Sequence, residues 1–139
     1  MKKNYLKIFM LLGLLVIILL MGALLSGCRR ALDITRAEAR EIVTDFIEKL
    51  NNDEFRAAYR MVSRQRGIPA EERITIQSLE EMINEVVVAV GDYQDHEITY
   101  VRSRSRYFEI TVTAEHGRGS VIYTIRVDLS GDVIYIAVG

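Results

Sequence analysis

The chain has 139 residues, with 18 Lys and Arg against 19 Asp and Glu, and it has room for one domain. A single cysteine excludes an internal disulfide. Two histidines 20 residues apart, without companion cysteines or spaced carboxylates, form no recognisable metal-ligand frame.

The first element is apolar. Residues 8–25 read "IFMLLGLLVIILLMGALL", with no charge, behind "MKKNYLK" with three lysines and no acid. A positive n-region, an apolar h-region and small residues at its end describe a secretory signal. The run is also about as long as a helix needs to span a bilayer, so an uncleaved transmembrane anchor is the competing reading. Next comes Leu25-Ser26-Gly27-Cys28, which holds the only cysteine.

This stretch resembles the lipobox of bacterial lipoproteins, in which a branched apolar residue and two small ones precede a cysteine. Small side chains let the peptide enter a protease groove within the membrane, and the free thiol accepts a diacylglyceryl group. The resemblance implies cleavage between Gly27 and Cys28 and a mature chain that starts with lipidated Cys28. It places that chain on the extracytoplasmic face of a bacterial membrane. Loss of residues 1–27 removes Lys2, Lys3 and Lys7 and leaves 15 basic residues against 19 acids, a net charge of −4. That balance gives no electrostatic reason to expect nucleic acid as a partner. Residues 28–34 form a lipidated N-terminus and tether. From Cys28 to Thr35 it reaches about 25 Å at full extension, which keeps residues 35–139 close to the headgroups. Arg29 and Arg30 lie in this tether, suited to anionic lipid or simply solvated.

Thr35-x-x-Glu38 has capping-box form and opens a first helix, in which Ile42, Val43, Phe46, Ile47 and Leu50 recur at helical spacing. "NND" at 51–53 ends it and is placed to cap a second helix over 54–63, with Phe55, Ala58, Tyr59 and Val62 on one face. "RQRGIPAEERIT" reads as a loop. Ser78-x-x-Glu81 marks the cap of a third helix, with Leu79, Met82, Ile83, Val86, Val87 and Val90 as its apolar stripe and Gly91 as its stop.

From residue 94 the period changes to two, giving strands at "HEITYVRS", "RYFEITVTAE", "VIYTIRVDL" and "VIYIAV". Phe108, Ile110, Val112 and Ala114 share one face of the second strand, and Val121, Tyr123, Ile125, Val127 and Leu129 one face of the third. The expected fold class is α+β, with three N-terminal helices packed on an antiparallel sheet of about four strands.

The stretches "FIEKLNNDEFRAAYRMVS" (46–63), "VVVAVGDYQDHEIT" (86–99) and "DLSGDVIYIAV" (128–138) resemble the nuclear transport factor 2-like superfamily. The nearest resemblance is to its uncharacterised members in bacterial lipoproteins. It implies a curved sheet wrapped around helices to leave a cone-shaped cavity, and it speaks to fold rather than activity. An enzymatic member would place a His/Asp pair or a Tyr/Asp set inside the cone. His96, with Asp92 and Asp95 nearby, is the local set for acid–base work, set against a solvated polar cluster at the edge of the cone. His116, in "HGRGS", is expected to be exposed. Tyr59, Tyr123 and His96 are the candidate pocket residues.

Arg102, Arg104 and Arg106 stand at alternate positions, either to meet an acidic partner or phospholipid headgroup or to keep a strand edge unpaired. No catalytic residue, metal or cofactor is assigned. The leading expectation is a lipid-anchored, non-enzymatic module that binds a small ligand or a protein partner at the cell surface. The alternatives are a small lyase, isomerase or hydrolase using the cone, and a homodimeric assembly module.

Overall fold

A computed structural model describes residues 33–139. Gly27, Cys28 and the proposed signal and lipidation positions lie outside the described residues. Among the described residues no helix is long and apolar enough to cross a membrane.

The order of elements is α1 (Arg36–Asn51), α2 (Phe55–Arg60), a single 3-10 turn (Ala70–Glu72) and α3 (Ile76–Val90). Four strands follow: β1 (Tyr93–Ser103), β2 (Tyr107–His116), β3 (Gly119–Asp128) and β4 (Val133–Val138). The strands form one antiparallel meander in sequence order, so the expected α+β class holds. Helix α1 lies across β1, β2 and β3, and α3 lies against β3.

Helix α1 starts as its sequence dictates. Thr35 Oγ1 accepts from the Glu38 N–H at 3.2 Å, while Glu38 Oε2 accepts from the Thr35 N–H at 2.6 Å. The Glu38 carboxyl is held below its usual range by the Thr35 backbone N–H first and by the Thr35 hydroxyl next. Its apolar stripe, Ala39, Val43, Phe46, Ile47 and Leu50, is wholly buried.

Helices α2 and α3 begin differently from the sequence-based expectation. Helix α2 is only six residues long, and its N-cap is Glu54, with no side-chain cap from 51–53. Asp53 spends its conformational freedom on the turn instead, at φ 60°. Helix α3 is capped one turn earlier than Ser78. Thr75 Oγ1 accepts from the Ser78 N–H at 3.0 Å, and Ser78 Oγ returns the bond to Thr75 N–H at 2.8 Å. Serine thus plays the part that glutamate plays at α1. Gly91 ends α3 at φ 86°, a region that disfavours any side chain.

The tip of the β2–β3 hairpin closes over that end. The Arg118 N–H donates to the Val90 carbonyl and Arg118 Nη2 to the Val88 carbonyl, both at 2.8 Å. One hairpin residue therefore serves two carbonyls that the helix leaves unpaired, Val88 through its cation and Val90 through its backbone.

The inner face of the sheet carries the core: Phe108, Ile110, Val112 and Ala114 from β2, Val121, Tyr123, Ile125 and Val127 from β3, and Val133 from β4. Strand β1 departs from strict alternation. Register shifts at Gln94 and Thr99 allow Tyr93, His96, Ile98 and Val101 to pair with inward residues of β2, although their spacing is three, two and three.

Candidate functional site

The three candidate pocket residues fall in three separate environments. Tyr123 is fully buried in the middle of β3, Tyr59 is 39% exposed on α2, and His96 is half-buried on β1. They do not build one site.

His96 stands on the inner face of β1, opposite Ala114, and not at a solvated turn as the sequence suggested. Its imidazole pairs with neither nearby aspartate. Asp95 Oδ1 accepts from the backbone N–H of His96 at 2.8 Å, while Nδ1 lies 2.6 Å from the Tyr93 hydroxyl. Burial, then the carboxylates of Asp95 and Glu48, pushes the Tyr93 phenol above its ordinary pKa. The phenol keeps its proton, and the imidazole tautomer sets which of the two groups donates in this bond. This geometry orients an imidazole and leaves it without a carboxylate partner. Around it runs an open groove of about 590 Å³ whose walls include Glu41, Asp45 and Glu48 of α1 with Asp95 and Glu97 of β1.

His116 is buried, at 4% exposure, contrary to the expected loop position. Strand β2 runs one residue further than expected, and His116 continues the inward series of Phe108, Ile110, Val112 and Ala114. Its Nδ1 lies 2.8 Å from the Gly91 carbonyl. A carbonyl only accepts, so Nδ1 carries the proton, and Nε2 remains buried with no partner. The Tyr93 ring packs edge-on against it, with centroids 5.9 Å apart. His116 thus ties the end of α3 to the sheet.

The Tyr123 hydroxyl is also buried and unpaired, and burial raises its pKa to about 12. A phenol that cannot ionise at neutral pH, and that touches no base, is a core side chain with a polar atom left over.

The second notable groove was not legible as a site from sequence. Tyr59, Arg60, Val62, Ser63, Arg64, Gln65, Arg66 and Arg73 line an open cleft of about 550 Å³ between α2 and the loop that follows it. Four guanidinium groups and no acid line this cleft, although the described chain carries more acids than bases. Among the described residues the ion pairs are Lys49–Asp45 and Arg126–Glu109, so none of these four arginines is neutralised. Of the expected arginine series, only Arg102 lies within β1, while Arg104 and Arg106 stand in the hairpin turn. No group of three or more His, Cys, Asp or Glu side chains able to hold a metal occurs among the described residues.

No protein-family model matches the chain, and comparisons with curated proteins and with solved structures found no match either.

Proposed function

We propose that the chain is a bacterial lipoprotein whose folded domain is a non-enzymatic binding or accessory module held at the extracytoplasmic face of the membrane. In this reading residues 1–27 are a signal, Cys28 carries the lipid as a thioether, and residues 28–34 are the tether. The observation that carries it is Leu25-Ser26-Gly27-Cys28 at the end of an 18-residue apolar run whose last member is Leu25. The compact unit that holds the sheet begins at Asp33, five residues past Cys28 in the sequence, a separation that suits a short tether.

The domain itself is read as a nuclear transport factor 2-like cone whose interior is closed by its own side chains. Phe46, Ile47, Leu50, Ile110, Val112 and Tyr123 support this, since all are fully buried between α1 and the sheet. The grooves noted above are open to solvent, a form that suits recognition of a partner or ligand better than enclosed catalysis.

Mass spectrometry of the membrane-extracted protein and of its Cys28→Ala variant tests the anchor. The wild type is expected to begin at Cys28 with a diacylglyceryl adduct, and the variant to accumulate at precursor mass. A wild-type chain that retains residues 1–27, with an unmodified thiol, would return the protein to the transmembrane-anchor reading.

A second reading, self-association through the sheet, is favoured by the outer face, where Tyr100, Ile122 and Tyr135 are 55%, 49% and 40% exposed. Sedimentation in neutral detergent across a concentration series decides it, because a constant monomer mass leaves no dimer to explain.

A further inference from the structure

The loop 61–75 is irregular in sequence but held at several points. At its base the Ser63 N–H donates to the Val133 carbonyl at 2.9 Å, and the Val133 N–H donates to the Met61 carbonyl at 2.8 Å. Farther out the Gln65 carboxamide clamps the two sides of the loop together. Its Nε2 donates to the Ile74 carbonyl at 2.6 Å, and its Oε1 accepts from the Ile74 N–H at 2.5 Å. Arg73 Nε donates to the Ile68 carbonyl at 2.8 Å, which fixes the root of its guanidinium and leaves the outer nitrogens free of that bond. The turn at Gly67, φ 79°, completes a frame that presents Arg64, Arg66 and Arg73 beside Arg60 of α2.

Four like charges converge here, although dispersing them would lower the energy of the free domain. Glu71 and Glu72 stand on the adjoining turn, yet neither lines the groove or reaches an arginine closely enough for an ion pair. Planar guanidinium groups recognise tetrahedral oxyanions through paired N–H donors, and phosphate accepts several at once. Tyr59 and Val62 add an apolar wall to one side of the same cleft.

The position of the groove bears on where such an anion would come from. The chain joins the fold where the Ile34 N–H donates to the Leu129 carbonyl at 3.0 Å. The loop joins at Val133, just across the same β3–β4 turn. Tether attachment and arginine groove therefore lie at one end of the sheet. A tether from Cys28 of about 25 Å at full extension keeps that end within reach of the headgroups.

We propose that the groove formed by Arg60, Arg64, Arg66 and Arg73 binds a phosphate-bearing anion, presented by the headgroup of an anionic lipid in the membrane that carries the chain. The choice of a lipid as the source rests on the anchoring proposed above, whereas the phosphate chemistry does not.

The test uses the full chain with ¹⁵N-labelled arginine side chains, observed through their Nε–H resonances. In neutral detergent micelles, inorganic pyrophosphate is titrated in. In bilayer discs, phosphatidylcholine alone is compared with phosphatidylcholine plus phosphatidylglycerol. Selective shifts of Arg60, Arg64, Arg66 and Arg73 are expected in both arms, with Arg102, Arg104 and Arg106 unmoved. The double variant Arg64→Gln/Arg66→Gln is expected to weaken pyrophosphate binding at least tenfold while its β2–β3 amide resonances stay in place.

A response to pyrophosphate without one to phosphatidylglycerol overturns the lipid source and assigns the site to a soluble phosphate. Absence of response in both arms, or an undiminished response in the double variant, overturns the site. The micelle arm needs no lipid anchor, so failure of the groove and failure of the anchoring proposal are told apart.

Discussion

The inner face of the sheet and the loop 61–75 are built on opposite terms. On the inner face almost every side chain is apolar, fully buried and set by the period of a strand or helix. The two histidines and two tyrosines that intrude there are fixed by single bonds or left unpaired. In the loop, charge is concentrated, exposed and unneutralised, and order comes from backbone carbonyls and one glutamine. The contrast separates two tasks: the interior holds the domain together, and the rim, in the proposed reading, keeps chemistry available to something outside it.

Substitutions should respect that division. The largest effect is expected from Phe46→Ala, which empties a fully buried site on α1 and should cost about 3–5 kcal/mol in urea unfolding. A cost under about 1 kcal/mol would mean that the interior is loosely filled and would break the comparison.

Next comes Tyr123, through pH. Its pKa is raised from 10.0 to about 12 by burial, so the fold favours the protonated phenol. The resulting stabilisation is whole below pH 10 and is lost as pH rises from 10 toward 12. It amounts to something on the order of 2–3 kcal/mol. Tyr123→Phe should lose this component of the alkaline decline and, having no unpaired hydroxyl to bury, match or exceed the wild type at neutral pH. Parallel alkaline unfolding curves for the two proteins would place Tyr123 in contact with solvent.

Gln65→Ala is expected to fall between interior and rim. It deletes both bonds to Ile74 and should cost about 1–2 kcal/mol. It should also speed amide exchange at Ile74 while leaving Ile110 and Val112 protected. The smallest effect is expected from Arg64→Gln/Arg66→Gln, within about 0.5 kcal/mol, since both side chains are exposed and unpaired. A gain in stability would reveal the repulsion among the four charges, and a large loss would mean that the arginines hold the loop rather than serve a ligand.

Much of the interior was legible because burial imposes a period. The stripe of α1, the stripe of α3 from Leu79 to Val90, and the alternating faces of β2 and β3 follow from spacing alone. His116 also sat in phase with Phe108, Ile110, Val112 and Ala114. Two glycines beside it suggested a wider loop than the two-residue turn Gly117-Arg118 that forms. His96 was harder, since it faces inward only because β1 carries irregularities at Gln94 and Thr99, which break the period that places side chains.

The α3 cap was ambiguous in kind. Thr75 and Ser78 are both good caps, and the glutamate three residues past Ser78 pointed to the wrong one. The arginine groove had no pattern at all in sequence. Its members are spaced irregularly from 60 to 73, and the Gln65–Ile74 clamp that gathers them joins residues whose pairing no periodicity announces.

The proposed lipid anchor would put an exposed, arginine-rich loop on the outside of a membrane, attached through a short tether. Trypsin added to intact spheroplasts that express the full chain tests this most directly. The account predicts cleavage from outside, with cuts after Arg64 and Arg66 in the exposed loop, while the β2–β3 segment survives as a protected fragment. A chain that resists trypsin until the membrane is lysed, and is then cut at the same arginines, would place the domain on the inner side and contradict the account.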